Sequence, residues 1–88
     1  MKIVPTMPGA TFRQFGLVGL DWLEIVERLG FTANLQDDES KVRMSWGFEV
    51  DGREGAIWDW KGSSFDKAWS AWGPREVFVE LFGEEHVR

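Results

Sequence analysis

The sequence predicts an α+β domain: a helix, a three-stranded antiparallel meander and a second helix, with both helices on one face of the sheet. Large apolar residues alternate with polar or small ones over residues 42–50, the period of a half-buried strand. Asp51 and Gly52 follow, and this dipeptide is typical of a two-residue hairpin turn. Helical patterns flank the hairpin on both sides. With 88 residues, the chain is predicted to form a single domain.

The two ends of the chain show no regular period. Residues 1–18 contain Pro5, Pro8 and Gly9 and are predicted to form an irregular arm, in which only residues 11–15 suggest a short edge strand. Residues 84–88 are polar and are predicted to fray.

The first helix is predicted over residues 21–29. Asp21 is a suitable N-cap, Glu24 completes a capping box, and Leu20 is placed to pack on Ile25. Gly30 suits the left-handed position that ends a helix. The apolar stripe of this helix is predicted to consist of Trp22, Ile25, Val26 and Leu29.

Residues 32–41 are predicted to form a solvated turn. Asp37, Asp38 and Glu39 are adjacent there, but their spacing matches no Ca²⁺-binding loop, so we predict no metal site. After the hairpin, residues 62–66 form a five-residue turn, and residues 67–72 form the third strand.

The second helix is predicted over residues 74–82. Gly73 lies at its cap, and Pro74 occupies the first helical position, where a missing N–H costs nothing. Gly83 ends the helix. Its apolar stripe is predicted to consist of Val77, Phe78, Leu81 and Phe82.

The length of the hairpin turn decides which tryptophans face the helices. A two-residue turn places Trp46 opposite Ile57 on the helix side, and it places Trp58 and Trp60 on the other face. The five-residue turn then adds Trp72 to that second face and Trp69 to the first. Small residues surround these three indoles: Ser45, Gly47, Ala56, Ala68 and Ser70. The candidate partner-binding residues are therefore Trp58, Trp60, Trp72, Arg43 and Lys61.

Two interpretations of these tryptophans remain open from the sequence. In one, they are core residues covered by the N-terminal arm through Phe12 and Phe15. In the other, they stay partly exposed and bind a partner, because aromatic residues are enriched at interface hot spots. Asp59 points toward the helices in this register, and if buried it requires a hydrogen-bond partner, such as a neighbouring backbone N–H.

The residue types that carry most enzyme chemistry are scarce. The chain has no Cys, and His86, in the polar tail, is its only His. No phosphate-binding or dinucleotide-binding glycine motif occurs. We therefore predict a protein that is not an enzyme and has no catalytic residue, cofactor or metal.

The net charge of −5 disfavours nucleic acid as a partner, because phosphate binding needs a basic surface. The absence of a long apolar run predicts no membrane span, and the N-terminus does not resemble a signal peptide. A cytoplasmic location follows as the expectation.

Residues 57–61 read IWDWK, and Trp69, Gly73 and a closing helix follow them. This pattern, together with the LDWLEIV opening of the first helix, resembles small accessory proteins of tailed phages of actinobacteria. The resemblance covers residues 20–83 loosely. It implies a phage product that acts in the host cytoplasm and binds one host protein, and it implies no functional residue.

The sequence thus predicts a small acidic protein-binding module, which on the resemblance modulates a host factor. One alternative is single-stranded nucleic-acid binding by stacking on the sheet tryptophans. Another is mimicry of DNA toward a basic protein. A homodimer is also compatible with an exposed aromatic face.

Overall fold

A computed structural model describes residues 1–8, 12–34, 44–59 and 67–88 of the chain. They form an α+β fold with one antiparallel sheet in the strand order β1-β3-β4-β5-β2. The strands are β1 (Ile3–Pro5), β2 (Phe15–Val18), β3 (Ser45–Val50), β4 (Arg53–Trp58) and β5 (Ala68–Trp72). The helices are α1 (Trp22–Leu29), α2 (Arg75–Phe82) and a short 3-10 helix (Glu84–His86).

The central hairpin has the predicted two-residue register. Asp51 and Gly52 both have positive φ angles, 51° and 86°, as a tight turn between twisted strands requires. Val50 pairs with Arg53, and Trp46 pairs with Ile57. The predicted register of the first two strands is confirmed, although the strands are shorter than predicted, since Met44 and Asp59 lie outside them.

The third strand of the predicted meander is also in register. Trp58 pairs with Ser70 and Ala56 pairs with Trp72 on β5, the alignment expected from a five-residue turn. The turn itself, residues 62–66, lies outside the described residues, as does the acidic segment 37–39.

The prediction of three strands is wrong, because the sheet has five. The additional strands lie in the segment for which we predicted an irregular arm. β1 pairs with β3 through Ile3 and Val50, and β2 pairs with β5 through Leu17 and Trp69. Both are short edge strands whose pairing partners are distant in sequence, so local periodicity does not reveal them.

The C-terminal segment is ordered rather than frayed. Val87 forms an antiparallel bridge with Leu17 and is buried. The Arg88 N–H donates to Gly16 O at 2.8 Å, and Arg88 O accepts from the Gly16 N–H at 3.2 Å. These contacts cover the outer edge of β2, which otherwise exposes unpaired backbone groups.

Both helices pack on one face of the sheet. α1 begins at the predicted N-cap, where the Asp21 carboxylate accepts a hydrogen bond from Glu24 N at 3.0 Å, and Gly30 ends it in the left-handed region. α2 begins one residue later than predicted, with Pro74 as its N-cap residue. The predicted apolar stripe is wrong at Trp22, because 46% of its surface is exposed. Leu20, in contrast, is buried in the core.

The core lies between this helix layer and the sheet. The ring of Phe78 contacts Phe15 and Phe48 edge-on, with centroids 4.8 and 5.8 Å apart. Trp46 and Trp69 meet in the same way at 5.5 Å. The sheet residues in this core share one face: Leu17, Trp46, Phe48, Val50, Ile57, Trp69 and Ala71.

Candidate functional site

The candidate site is the sheet face that points away from α1 and α2, which we call the outer face. Because side chains alternate along a strand, the register assigns its members directly. The described strand residues form four rows across this face: Val18 and Ala68; Ser45, Trp58, Ser70 and Gly16; Gly47, Ala56 and Trp72; and Val4, Glu49 and Glu54.

Trp58 and Trp72 are the two tryptophans of this face among the described residues. They lie on the neighbouring strands β4 and β5 and are diagonal neighbours, since Trp72 pairs with Ala56 and Trp58 pairs with Ser70. Diagonal residues in an antiparallel pair are close enough for aromatic side chains to interact. Both indoles are partly exposed, in contrast to the buried Trp46 and Trp69.

The structure thus brings together two of the five predicted binding residues. The other three, Trp60, Arg43 and Lys61, lie outside the described residues.

Small residues flank the two tryptophans as the sequence predicts. Ala56 and Ser45 are almost fully buried although they lie on the outer face, and Gly47 is buried as well. A small side chain beside a large indole loses contact with water, so these positions form the floor of the face and the indoles project from it.

The predicted aromatic cover from the N-terminal arm does not form. Phe15 belongs to β2 and points to the helix side, where its ring packs against Phe78. Phe12 is 63% exposed. Neither ring therefore covers Trp58 or Trp72 in the way that the core interpretation requires.

Arg13 is a functional candidate that sequence reasoning missed. Its guanidinium lies over Gly16 on the outer face, where a Cβ at position 16 would come within 2.9 Å of Arg13 Nη2. Arg88 pairs with Gly16 through its backbone. Because Val87 pairs with the core residue Leu17, alternation places Arg88 on the outer face, next to Gly16. The available signal was the run of residues 1–20, which contains Lys2 and Arg13 but no acidic residue.

Glu49 and Glu54 form the opposite corner of the outer face. They are directly paired across β3 and β4, next to the hairpin turn. Like charges in a directly opposed pair destabilise a sheet. Within the described residues, neither carboxylate forms an ion pair, and the same holds for Arg13 and Arg88.

Asp59 has a structural role. It follows Trp58, points to the helix side and is fully buried. Its carboxylate accepts a hydrogen bond from Met44 N at 2.6 Å, while its own N–H donates to Met44 O. These bonds hold the chain together just beyond the end of the β3–β4 ladder, as the sequence predicts for a buried carboxylate at this position.

The described ranges hold no cluster of metal-ligating residues and no membrane-spanning helix. They contain no group of three His, Cys, Asp or Glu residues placed to hold a metal ion. No helix among them has the length and apolar character needed to cross a bilayer.

Comparison with known proteins gives no relative. The chain matches no protein-family model, no curated protein and no solved structure.

Proposed function

We propose that this chain is a non-enzymatic protein-binding module and that the outer face, centred on Trp58 and Trp72, is its binding surface. The observation that carries the proposal is their shared position: both project from the sheet face that the helices leave uncovered, and both keep part of their surface in water. Tryptophan is enriched in interface hot spots, and two neighbouring tryptophans on one face supply more contact area than a single one.

The composition of the face supports a protein partner. Trp72 and Trp58 supply apolar contact area, while the partly exposed Ser70, paired with Trp58, offers a hydroxyl group for hydrogen bonds. The acidic corner at Glu49 and Glu54 disfavours a phosphate backbone across the whole face. On the resemblance to phage accessory proteins, the partner is a host protein in the cytoplasm.

The test is affinity capture with matched variants. Wild-type protein, the double variant Trp58→Ser/Trp72→Ser and the control Trp22→Ser are immobilised and exposed to an actinobacterial lysate. Trp22 is a suitable control because it is exposed on α1, in the helix layer. We expect wild type and the Trp22 control to retain the same protein and the double variant to lose it. Equal capture by all three would contradict the proposal.

Single-stranded nucleic acid is the second candidate, and Arg13 is the observation that favours it. Its guanidinium lies on the same face as the two indoles, and bases stack on tryptophan while arginine contacts phosphate. A gel-shift series with short DNA and RNA at low salt distinguishes the two functions. A shift that Arg13→Ala abolishes would favour nucleic acid over protein as the ligand.

A further inference from the structure

We infer that the outer face binds a second copy of this chain, forming a two-fold symmetric dimer. This inference rests on the proposed function, because it uses the same surface, and it names a second copy of the chain as a partner in place of a host protein. It depends on how charges are arranged around the two tryptophans, which the register of the strands determines.

Four charged residues of the described outer face lie on opposite sides of its aromatic centre. A line from Trp58 on β4 to Trp72 on β5 has Glu49 and Glu54 on one side, toward the hairpin turn. The Arg13 guanidinium lies on the other side, over Gly16 on β2. Arg88, paired with Gly16, adds a second basic residue there.

This arrangement is self-complementary. A two-fold axis that runs along the line of tryptophans can relate two identical faces. It places the acidic side of each copy against the basic side of the other copy. Glu49 and Glu54 of one copy then face Arg13 and Arg88 of the second, twice per dimer. The residues on the axis meet their own equivalents, so Trp58 and Trp72 pack against the same residues of the other copy.

Within the described residues, these charged side chains have no ion-pair partner. Glu49 and Glu54 repel each other across the hairpin, and within the described part of the chain no basic residue pairs with them. A second copy brings two guanidinium groups to this corner, which converts a repulsive pair into an attractive cluster. Arginine is well suited to this contact because its planar guanidinium binds carboxylates in bidentate geometry.

Sedimentation equilibrium on charge-reversal variants tests the inference. We expect the wild type to dimerise, and we expect Arg13→Glu and Glu54→Arg each to weaken the dimer by about tenfold or more. The double variant Arg13→Glu/Glu54→Arg restores the opposite-charge contact and should return the dissociation constant to within a few-fold of wild type. Arg75→Glu, an exposed reversal on α2, is the matched control and should have no effect.

Three results would overturn the inference. The first is a monomer at all concentrations up to about 1 mM, and the second is a dimer that both single reversals leave intact. The third is a dimer that the single reversals weaken and the double variant does not restore. Far-ultraviolet circular dichroism of each variant confirms that it is folded before association is compared. A chain that stays monomeric but still captures a lysate protein through Trp58 and Trp72 refutes the dimer and leaves the proposed function intact. A chain that does neither refutes both.

Discussion

Trp46 on β3 pairs directly with Ile57 on β4, and both side chains are fully buried. Because adjacent residues of a strand point to opposite faces, this pair determines that Trp58, the next residue of β4, lies on the outer face. A shift of one residue would exchange the two sets of side chains. The location of the candidate site therefore depends on the register of one hairpin.

The two tryptophans of the hairpin should differ in their contribution to stability. Trp46→Ala removes a buried indole that also donates a hydrogen bond to Phe31 O at 3.1 Å, so we expect a loss of about 3–5 kcal/mol. Trp58→Ala truncates a partly exposed side chain and should cost only about 1 kcal/mol. Urea denaturation of both variants measures the difference, and equal losses would show that Trp58 belongs to the core.

Trp69 should depend on its indole N–H as well as on its volume. The Nε1–H donates to Leu20 O at 2.7 Å in a buried contact that ties β5 to the start of α1. Trp69→Phe leaves this carbonyl without its partner, so we expect a loss of about 1–3 kcal/mol in addition to the packing change. Trp72→Phe, on the outer face, is the control and should change the unfolding free energy by less than about 0.5 kcal/mol.

Gly55 should not tolerate a side chain. A Cβ at this position would come within 2.8 Å of the Phe48 ring, and Phe78 lies 3.3 Å away. We expect Gly55→Ala to destabilise the fold by about 1–3 kcal/mol through overpacking. If the cause is this contact, Phe48→Leu should cost less in the Gly55→Ala background than in wild type. Additive losses in a double-mutant cycle would contradict that explanation.

The repulsion between Glu49 and Glu54 should be measurable in the free chain. Glu54→Lys replaces a like-charged cross-strand pair by an opposite-charged one, so we expect a gain of about 0.2–1 kcal/mol. Chemical denaturation at a concentration where the chain is monomeric tests this. The gain should shrink in 1 M salt, and Glu27→Lys, exposed on α1, controls for the change in net charge.

The hairpin and the two helices are predictable because their signals are local. Asp51 and Gly52 specify the turn, and the alternation before them specifies the buried face. The ends of α1 follow from Asp21 and Gly30 in the same way. Each of these features depends on residues that are close in sequence, where propensity and periodicity are most informative.

β1 and β2 are not predictable because their stability comes from distant partners. β1 has three residues and contains Pro5, which locally disfavours a strand, yet it pairs with the far end of β3. Arg13 was missed as a site residue for the same reason, since it reaches the outer face only once β2 has joined β5. Trp22 shows the opposite error: its helical spacing fits the buried stripe, but in the first turn of α1 46% of its surface is exposed.

Fluorine NMR of protein labelled with 5-fluorotryptophan measures most directly whether Trp58 and Trp72 form an exposed surface. Each tryptophan gives one resonance, assigned by single Trp→Phe substitutions, and a soluble paramagnetic agent broadens those that reach solvent. In a monomeric sample we expect strong broadening for Trp22, intermediate broadening for Trp58 and Trp72, and none for Trp46 and Trp69. If Trp58 and Trp72 are as protected as Trp46 and Trp69, the outer face is not a binding surface.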